Sequence, residues 1–100
     1  MQSPDDAEFL ELDEENEAHL AAHGITIWDT EAVLNSKELW IPNRRQDSNR
    51  WKTVGYGVGG RALTVVWAYD SIRRVLRPIT GWPVTSAERT KYLRSGRHDG

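Results

Sequence analysis

The sequence predicts an α+β domain in which an antiparallel sheet of four to five strands carries two N-terminal helices and one C-terminal helix, all on one side. Three observations predict this class: helix-capping signals in the first third of the chain, apolar runs on both sides of Gly59-Gly60, and a capping box that opens a third helix from Thr85 to about Arg94. One hundred residues fit a single domain. We assign it to residues 8–94, between a disordered leader (1–7) and a polar tail (95–100).

Two short helices are predicted before residue 40. Asp13 can cap a helix over residues 14–23, whose first turn is acidic, and Gly24 is a natural end for it. Thr26 begins a capping box, with Asp in place of the usual Glu, that opens a second helix to about Asn35. The candidates to face the core from this helix are Trp28, Ala32 and Val33.

Strands are predicted for most of the remaining sequence. Residues 44–50 contain no apolar side chain and predict a solvated loop. Both faces of the strand over 61–69 are apolar, so we expect it to be central. Pro78 has no N–H to donate to a strand ladder, and we expect it at a strand end or on an edge. The predicted strands cover residues 8–12, 38–41, 51–58, 61–69 and 72–79, the first of them at an edge.

Composition excludes several classes of protein and site. The chain is 38% hydrophobic and has no apolar run near the ~20 residues that a membrane span needs, so we expect no membrane partner. It has no cysteine, which excludes disulfides, thiolate metal sites and cysteine nucleophiles. The acidic start lacks the basic and apolar segments of a signal peptide, and we expect a cytoplasmic protein.

The charges are divided unequally along the chain. Residues 1–40 contain 11 acidic residues and one basic residue, whereas residues 41–100 contain four acidic and 12 basic residues. Clustered lysines and arginines attract phosphates, so this division indicates a polyanionic partner such as RNA. The alternative is that the two halves neutralise each other within one domain.

No metal or cofactor site is predicted. His19 and His23 lie four residues apart on the first predicted helix, with Glu15 one turn earlier. That spacing can hold a metal, but it is common by chance, and a histidine that interacts with the dipole at a helix C-terminus is the more frequent case. No serine lies in a glycine-flanked nucleophile elbow, so no serine-based catalytic site is predicted either.

The basic residues are the most suggestive candidates for function. Arg50, Arg61 and Arg77 are predicted to share one region of the sheet, where guanidinium groups can bind phosphates and stabilise a charged transition state without a metal. The same face could instead be merely solvated, hold an acidic partner protein, or pair with the acidic helices of this domain. The further candidates for RNA contact are Arg44, Arg45, Lys52 and Arg73.

Two of the five tryptophans are candidates to stack on unpaired bases. Trp51 lies between Arg50 and Lys52, and Trp82 follows the last predicted strand. Trp67 is expected in the core instead.

Several short motifs resemble those of the BrnT family of toxins. The segment from Asp13 to Thr26 contains an asparagine-bearing helix that ends in His23-Gly24 and precedes a short capped helix, which is similar to the opening of that family. The motifs occur in the family's order over about residues 9–93. The further matches are Val54-Gly55, Gly60-Arg61, Ile79-Thr80, and Thr85-x-x-Glu88 with Tyr92.

The resemblance implies a RelE-like ribonuclease fold and a toxin that acts on RNA to inhibit translation, without a metal or cofactor. It also implies neutralisation by a BrnA-like antitoxin, with DNA contacted only indirectly through that antitoxin. The residues that match family positions are His23, Arg61, Arg77, Glu88 and Tyr92, and we take His23, Arg50, Arg61 and Arg77 as the catalytic candidates.

Two departures from the family pattern bear on activity. Leu12 stands where many relatives have a tryptophan, and Trp82 stands where they usually have an arginine. An indole cannot supply the bidentate charge of a guanidinium. Three hypotheses therefore follow: a metal-independent ribonuclease toxin, which we favour; a catalytically eroded relative that binds RNA or an antitoxin-like protein; and a structural domain whose halves complement each other.

Overall fold

The sheet has five strands in the order β1-β5-β4-β3-β2, in a computed structural model that describes residues 4–43 and 49–93. The α+β class is confirmed, but the sheet is mixed rather than antiparallel because β1 runs parallel to β5. No hairpin joins these two strands, so nothing forces them to be antiparallel. The strands are β1 Phe9–Leu10, β2 Ile41–Pro42, β3 Arg50–Tyr56, β4 Ala62–Asp70 and β5 Val75–Pro83.

Strand β4 lies at the centre of the sheet and forms most of the core, as predicted. It pairs with β3 on one side and with β5 on the other, and every residue from Leu63 to Tyr69 is buried. The side chains on one of its faces pack in the hydrophobic core with Leu20, Ile25 and Val33 from the N-terminal half of the chain. These β4 residues are Leu63, Val65, Trp67 and Tyr69.

Two helices, α1 (Glu14–Ala21) and α2 (Ile27–Ser36), cover this core face. Both predicted caps are present: Asp13 accepts a hydrogen bond from the Asn16 N–H, and Thr26 and Asp29 form a capping box. Helix α1 ends two residues before the predicted end.

The expected inward position of Trp28 is wrong. Its side chain is 66% exposed. Successive helical residues are about 100° apart, so Trp28 points away from the side on which Thr30 and Val33 are buried.

The C-terminal segment lies on the opposite face of the sheet from α1 and α2. Helix α3 (Ser86–Glu88) continues as a π-helical turn over Arg89–Leu93. The Thr64 hydroxyl of β4 donates to the Glu88 carboxylate at 2.9 Å. The prediction of all helices on one side is therefore wrong, because the second face of β4 is also apolar and needs cover. The predicted end at Arg94 lies outside the described residues.

The hairpin of β3 and β4 is confirmed, but its connection is longer than two residues. The strands end at Tyr56 and resume at Ala62, and the Gly57 N–H donates to the Arg61 carbonyl at 2.8 Å. Gly59 and Gly60 have φ values of 80° and 85°, so both adopt the left-handed conformation that the sequence predicts.

Strand β5 starts and ends later than predicted. The Asp70 carboxylate accepts the N–H groups of Ile72 and Arg73, both at 3.1 Å, and holds residues 71–74 in a turn instead of a strand. Val66 pairs with Thr80 and Trp67 pairs with Pro78, so Ile79 is the extra residue of a β-bulge. Because β1 pairs only with Val75 and Leu76, Pro78 lies on an edge, as expected.

The leader contacts the rest of the domain from Pro4 onward. Pro4–Asp6 form a 3₁₀ turn with a buried proline. Asp5 accepts a hydrogen bond from the Trp40 indole at 2.8 Å, and Ala7 packs against the core. These contacts fall within the segment that the sequence analysis assigns to a disordered leader. None of the helices in the two described ranges has the length and apolarity needed to cross a bilayer.

The buried Asp29 carboxylate joins α2 to the connection between β3 and β4. Its Oδ1 accepts the Val58 N–H at 2.9 Å, and its Oδ2 accepts the Thr26 N–H at 2.9 Å and lies 3.3 Å from the Arg61 guanidinium. Burial alone would raise the pKa of Asp29, but these hydrogen bonds and the Arg61 charge outweigh burial and lower it. The carboxylate is therefore ionised in the folded protein at neutral pH.

Replacing Asp29→Asn should lower the free energy of unfolding by about 2 kcal/mol at neutral pH, because a charged acceptor of several donors is lost. Urea unfolding measures this, with the exposed Glu31→Gln on the same helix as the control.

The pKa of Asp29 is lower in the folded protein than in the unfolded chain, where it is about 3.9. Ionised Asp29 therefore stabilises the fold above that pH, and this contribution is lost as the pH falls through the folded-state pKa. The difference between wild type and variant should therefore shrink below about pH 4. A constant difference across that range would contradict this account.

Candidate nucleic-acid interface

Arg50 and Arg77 lie on the sheet face opposite α1 and α2, on either side of a small residue. Ala68 of β4 is the register partner of Arg50 on β3 and of Arg77 on β5. Directly paired residues point to the same face, and strands are about 4.8 Å apart, so the two Cα atoms are about 10 Å apart. Two guanidinium groups can reach one phosphate across that distance. We call the surface of Arg50, Lys52, Ala68 and Arg77 the basic face.

A cleft of about 360 Å³ opens on the basic face at the end of β4 and the start of β5. Arg73 and Arg77 line it together with the polar side chains of Asn49 and Ser71. Asp70 also lines it, but its Oδ1 is occupied by two backbone N–H groups and its Oδ2 lies 3.8 Å from Arg73. The cleft therefore presents cationic and polar groups suited to a phosphate.

The ion pairs of this cleft are long and solvent-exposed. Arg77 lies 3.8 Å from Asp13, and Arg73 lies 3.9 Å from Glu11. Exposed pairs of this kind contribute only about 0–1 kcal/mol, so a phosphate can replace the carboxylate at low cost. Arg74, by contrast, is held by Glu8 at 2.8 Å, and that hydrogen bond and charge raise the pKa of Arg74.

A second cluster on the same sheet face is organised by Glu88. Its carboxylate accepts hydrogen bonds from the Thr64 hydroxyl and the Thr85 N–H, and from the Trp82 indole at 3.1 and 3.2 Å. Lys52 Nζ lies 3.8 Å away. Burial alone would raise the pKa of Glu88, but these donors and the Lys52 charge lower it. Glu88 is thus a fully engaged anion that orients Trp82 and a poor general base.

The four catalytic candidates do not come together. Arg61 donates to the Gly24 carbonyl at 2.7 Å and lies 3.3 Å from Asp29, on the side that the helices cover. The predicted sharing of one sheet region by Arg50, Arg61 and Arg77 is therefore wrong for Arg61. The reason is that Arg61 precedes β4 at the opposite end from the basic cleft, where Asp29 holds it. His23 is exposed next to Gly24, at that same distant end.

The candidates for RNA contact also lie in different parts of the structure. Lys52 lies on the basic face and Arg73 lines its cleft. Arg44 and Arg45 lie outside the described residues. Trp82 pairs with Thr64 and is half-buried on the same sheet face. Trp51 is only 6% exposed and packs edge to face with Trp40, so its predicted stacking on a base is wrong.

Of the residues that line the cleft, only Arg73 and Arg77 were sequence candidates; Asn49, Ala68 and Ser71 are among those that were not. Ala68 carries no chemistry of its own, and its role is to leave space between two arginines. Only the strand register reveals that Ala68 lies between these arginines. His19 and His23, considered as metal ligands, are both exposed. Within residues 4–43 and 49–93, no three His, Cys, Asp or Glu side chains are grouped so that they could hold a metal ion.

Replacing Glu88→Gln should release Trp82 and lower the free energy of unfolding by about 1–2 kcal/mol, because the amide loses the charge and part of the accepting capacity. The Trp82 indole N–H should exchange faster with solvent, which NMR measures directly. Glu17→Gln, an exposed position on α1, is the matched control and should change neither quantity. Unchanged exchange in Glu88→Gln would show that Trp82 is held by other contacts.

No protein-family profile matches this sequence, and no protein of curated function matches it.

Proposed function

We propose that this chain is a BrnT-like domain with a RelE-like fold that binds RNA through its basic face. In this proposal it belongs to a type II toxin-antitoxin system and has a BrnA-like antitoxin as its protein partner. Arg50 and Arg77 contact the RNA backbone, Arg73 and Lys52 extend the contact along the face, and Trp82 offers an aromatic surface to a base. The single observation that carries RNA binding is the placement of Arg50 and Arg77 on both sides of Ala68.

The family part of the proposal is supported by two facts. The motifs that resemble the BrnT family occur in order over almost the whole chain. The α+β arrangement, with two leading helices on one face of a five-stranded sheet, is compatible with a RelE-like fold. The antitoxin remains an expectation from the resemblance.

Binding is better supported than cleavage. His23 and Arg61 lie far from the basic face, and Arg61 is engaged by Asp29. Trp82 occupies the position where relatives of the BrnT family usually have an arginine, and its indole is directed to Glu88. A site that holds RNA by two arginines without an assembled acid and base can bind the backbone without breaking it.

A second candidate function, metal-independent RNA cleavage, is favoured by one specific observation. Two guanidinium groups that reach one phosphate can stabilise the charge of a transition state. In such a reaction the ribose 2′-oxygen bonds to its own phosphorus and gives up its proton, while the bond to the 5′-oxygen breaks and that oxygen gains a proton. The products are a 2′,3′-cyclic phosphate and a 5′-hydroxyl end.

Arg50→Gln and Arg77→Gln should each weaken binding of a labelled single-stranded RNA and lower the slope of log Kd against log salt by about 1, because each removes one phosphate contact. Fluorescence anisotropy at several salt concentrations measures both quantities. Lys37→Gln, at the end of α2, also removes one positive charge but lies on the side that the helices cover, and should change neither. An equal effect of Lys37→Gln, or no binding by the unaltered chain, would overturn the proposal.

The unaltered chain should leave RNA intact in the presence of EDTA, as shown by gel electrophoresis. Cyclic-phosphate products that disappear in Arg50→Gln or Arg77→Gln would replace the binding proposal by the cleavage candidate. The Trp82→Arg variant extends the test, because a gain of cleavage would identify the chain as an eroded enzyme of the BrnT type. Cleavage that both arginine variants retain would indicate a contaminating nuclease.

A further inference from the structure

Phe9 of β1 places an exposed aromatic ring at the edge of the basic face. It is the register partner of Val75 on β5, which in turn pairs with Asp70 of β4. Register partners point to the same side of a sheet, and both of these partners line the cleft of the basic face, so Phe9 shares that face. Phe9 is 61% exposed, whereas the next residue, Leu10, packs against the core on the other face.

We propose that Phe9 stacks on an unpaired base of the RNA whose phosphates Arg73 and Arg77 bind, so that the basic face selects single-stranded RNA over a duplex. This inference rests on the proposed RNA binding and adds to it a stacking surface and a substrate class. The bases of a duplex are already stacked on one another, whereas those of a single strand can be splayed onto an aromatic ring.

The ring is close to the arginines that we assign to phosphate binding. Phe9 lies one strand away from β5 and is aligned with the residue two positions before Arg77. With strands about 4.8 Å apart and a rise of about 3.3 Å per residue, the Cα atoms of Phe9 and Arg77 are about 8 Å apart. Given the reach of both side chains, one RNA strand can hold its phosphate at the guanidinium and a nearby base at the ring.

The backbone that carries Phe9 is fixed by hydrogen bonds to β5 and to the turn before it. The Arg74 carbonyl accepts the N–H groups of Glu8 and Phe9 at 2.8 and 3.2 Å. The Leu76 carbonyl accepts the Glu11 N–H at 2.9 Å. Arg74 itself has a φ of 59°, in the left-handed region that few residues other than glycine adopt, and its guanidinium is held by Glu8. A ring on a backbone that is already positioned loses less entropy on binding.

The carboxylates next to Phe9 do not make its surroundings anionic. Glu8 lies 2.8 Å from Arg74, and Glu11 lies 3.9 Å from Arg73. Each carboxylate is opposite a guanidinium, so this edge is electrically balanced, and the long, exposed ion pairs of the cleft can open to bind phosphates. A ligand that fits both the ring and the arginines is an anion that also offers a flat apolar surface. A nucleic-acid single strand has both.

Fluorescence anisotropy of the full chain with a short labelled single-stranded RNA tests the assignment. Phe9→Ala should weaken binding about tenfold, as expected for the loss of one stacked base. It should leave the slope of log Kd against log salt unchanged, because no phosphate contact is removed. Phe9→Tyr keeps a ring and should bind like the unaltered chain. The matched control is Trp28→Ala, which removes an aromatic side chain of similar exposure (66%) from α2 and should change neither quantity.

The same RNA annealed to its complement tests the substrate class. The duplex should bind more weakly than the single strand, and Phe9→Ala should not weaken duplex binding further. The inference is overturned, with RNA binding intact, if Arg77→Gln lowers the salt slope while Phe9→Ala, folded by circular dichroism, binds like the unaltered chain. Equal losses for single strand and duplex in Phe9→Ala would also overturn it. No binding by the unaltered chain would overturn the RNA-binding proposal and this inference together.

Discussion

Strand β4 has buried side chains on both faces, and this constraint determines how the rest of the chain is arranged. Each face of a central strand must be covered, and the covering elements come from opposite ends of the sequence. Helices α1 and α2 cover one face, and the C-terminal segment covers part of the other. On the rest of that second face, Ala68 lies between Arg50 and Arg77.

The acidic first part of the chain therefore neutralises only some of the basic residues in the rest of the chain. Asp29 engages Arg61 and Glu8 engages Arg74 at short distances, so some basic residues do complement the acidic half. Within residues 4–43 and 49–93, the ion pairs of Arg73 and Arg77 are long and exposed, so both arginines keep most of their capacity for an external anion. The acidic first turn of α1 follows Asp13 and so lies at the same end of the sheet as Arg77.

Much of the fold could be predicted from local signals. The caps at Asp13 and Thr26, the left-handed glycines at 59 and 60, and the central position of β4 all follow from patterns within a few residues. The parallel pairing of β1 with β5 could not, because it joins segments more than sixty residues apart with no connection that fixes their direction.

The candidate site was harder to predict because it depends on register. A two-residue turn at Gly59-Gly60 would pair Trp51 with Ala68, but the longer connection pairs Arg50 with Ala68 and turns Trp51 into the core. A shift of one residue reverses the face of every side chain in a strand. The bulge at Ile79 has a similar effect on β5, since it brings Arg77 to the same face as Trp82. Neither feature has a signal in the sequence.

RNA binding on the basic face is the central claim of this account. The most direct measurement is a chemical-shift titration of the isotope-labelled chain with a short single-stranded RNA. The account predicts shifts of the backbone amides of Asn49, Ala68 and Arg77, with no shift at Trp28 or Val58. Shifts centred on Trp28 and Val58, with Ala68 unaffected, would contradict it.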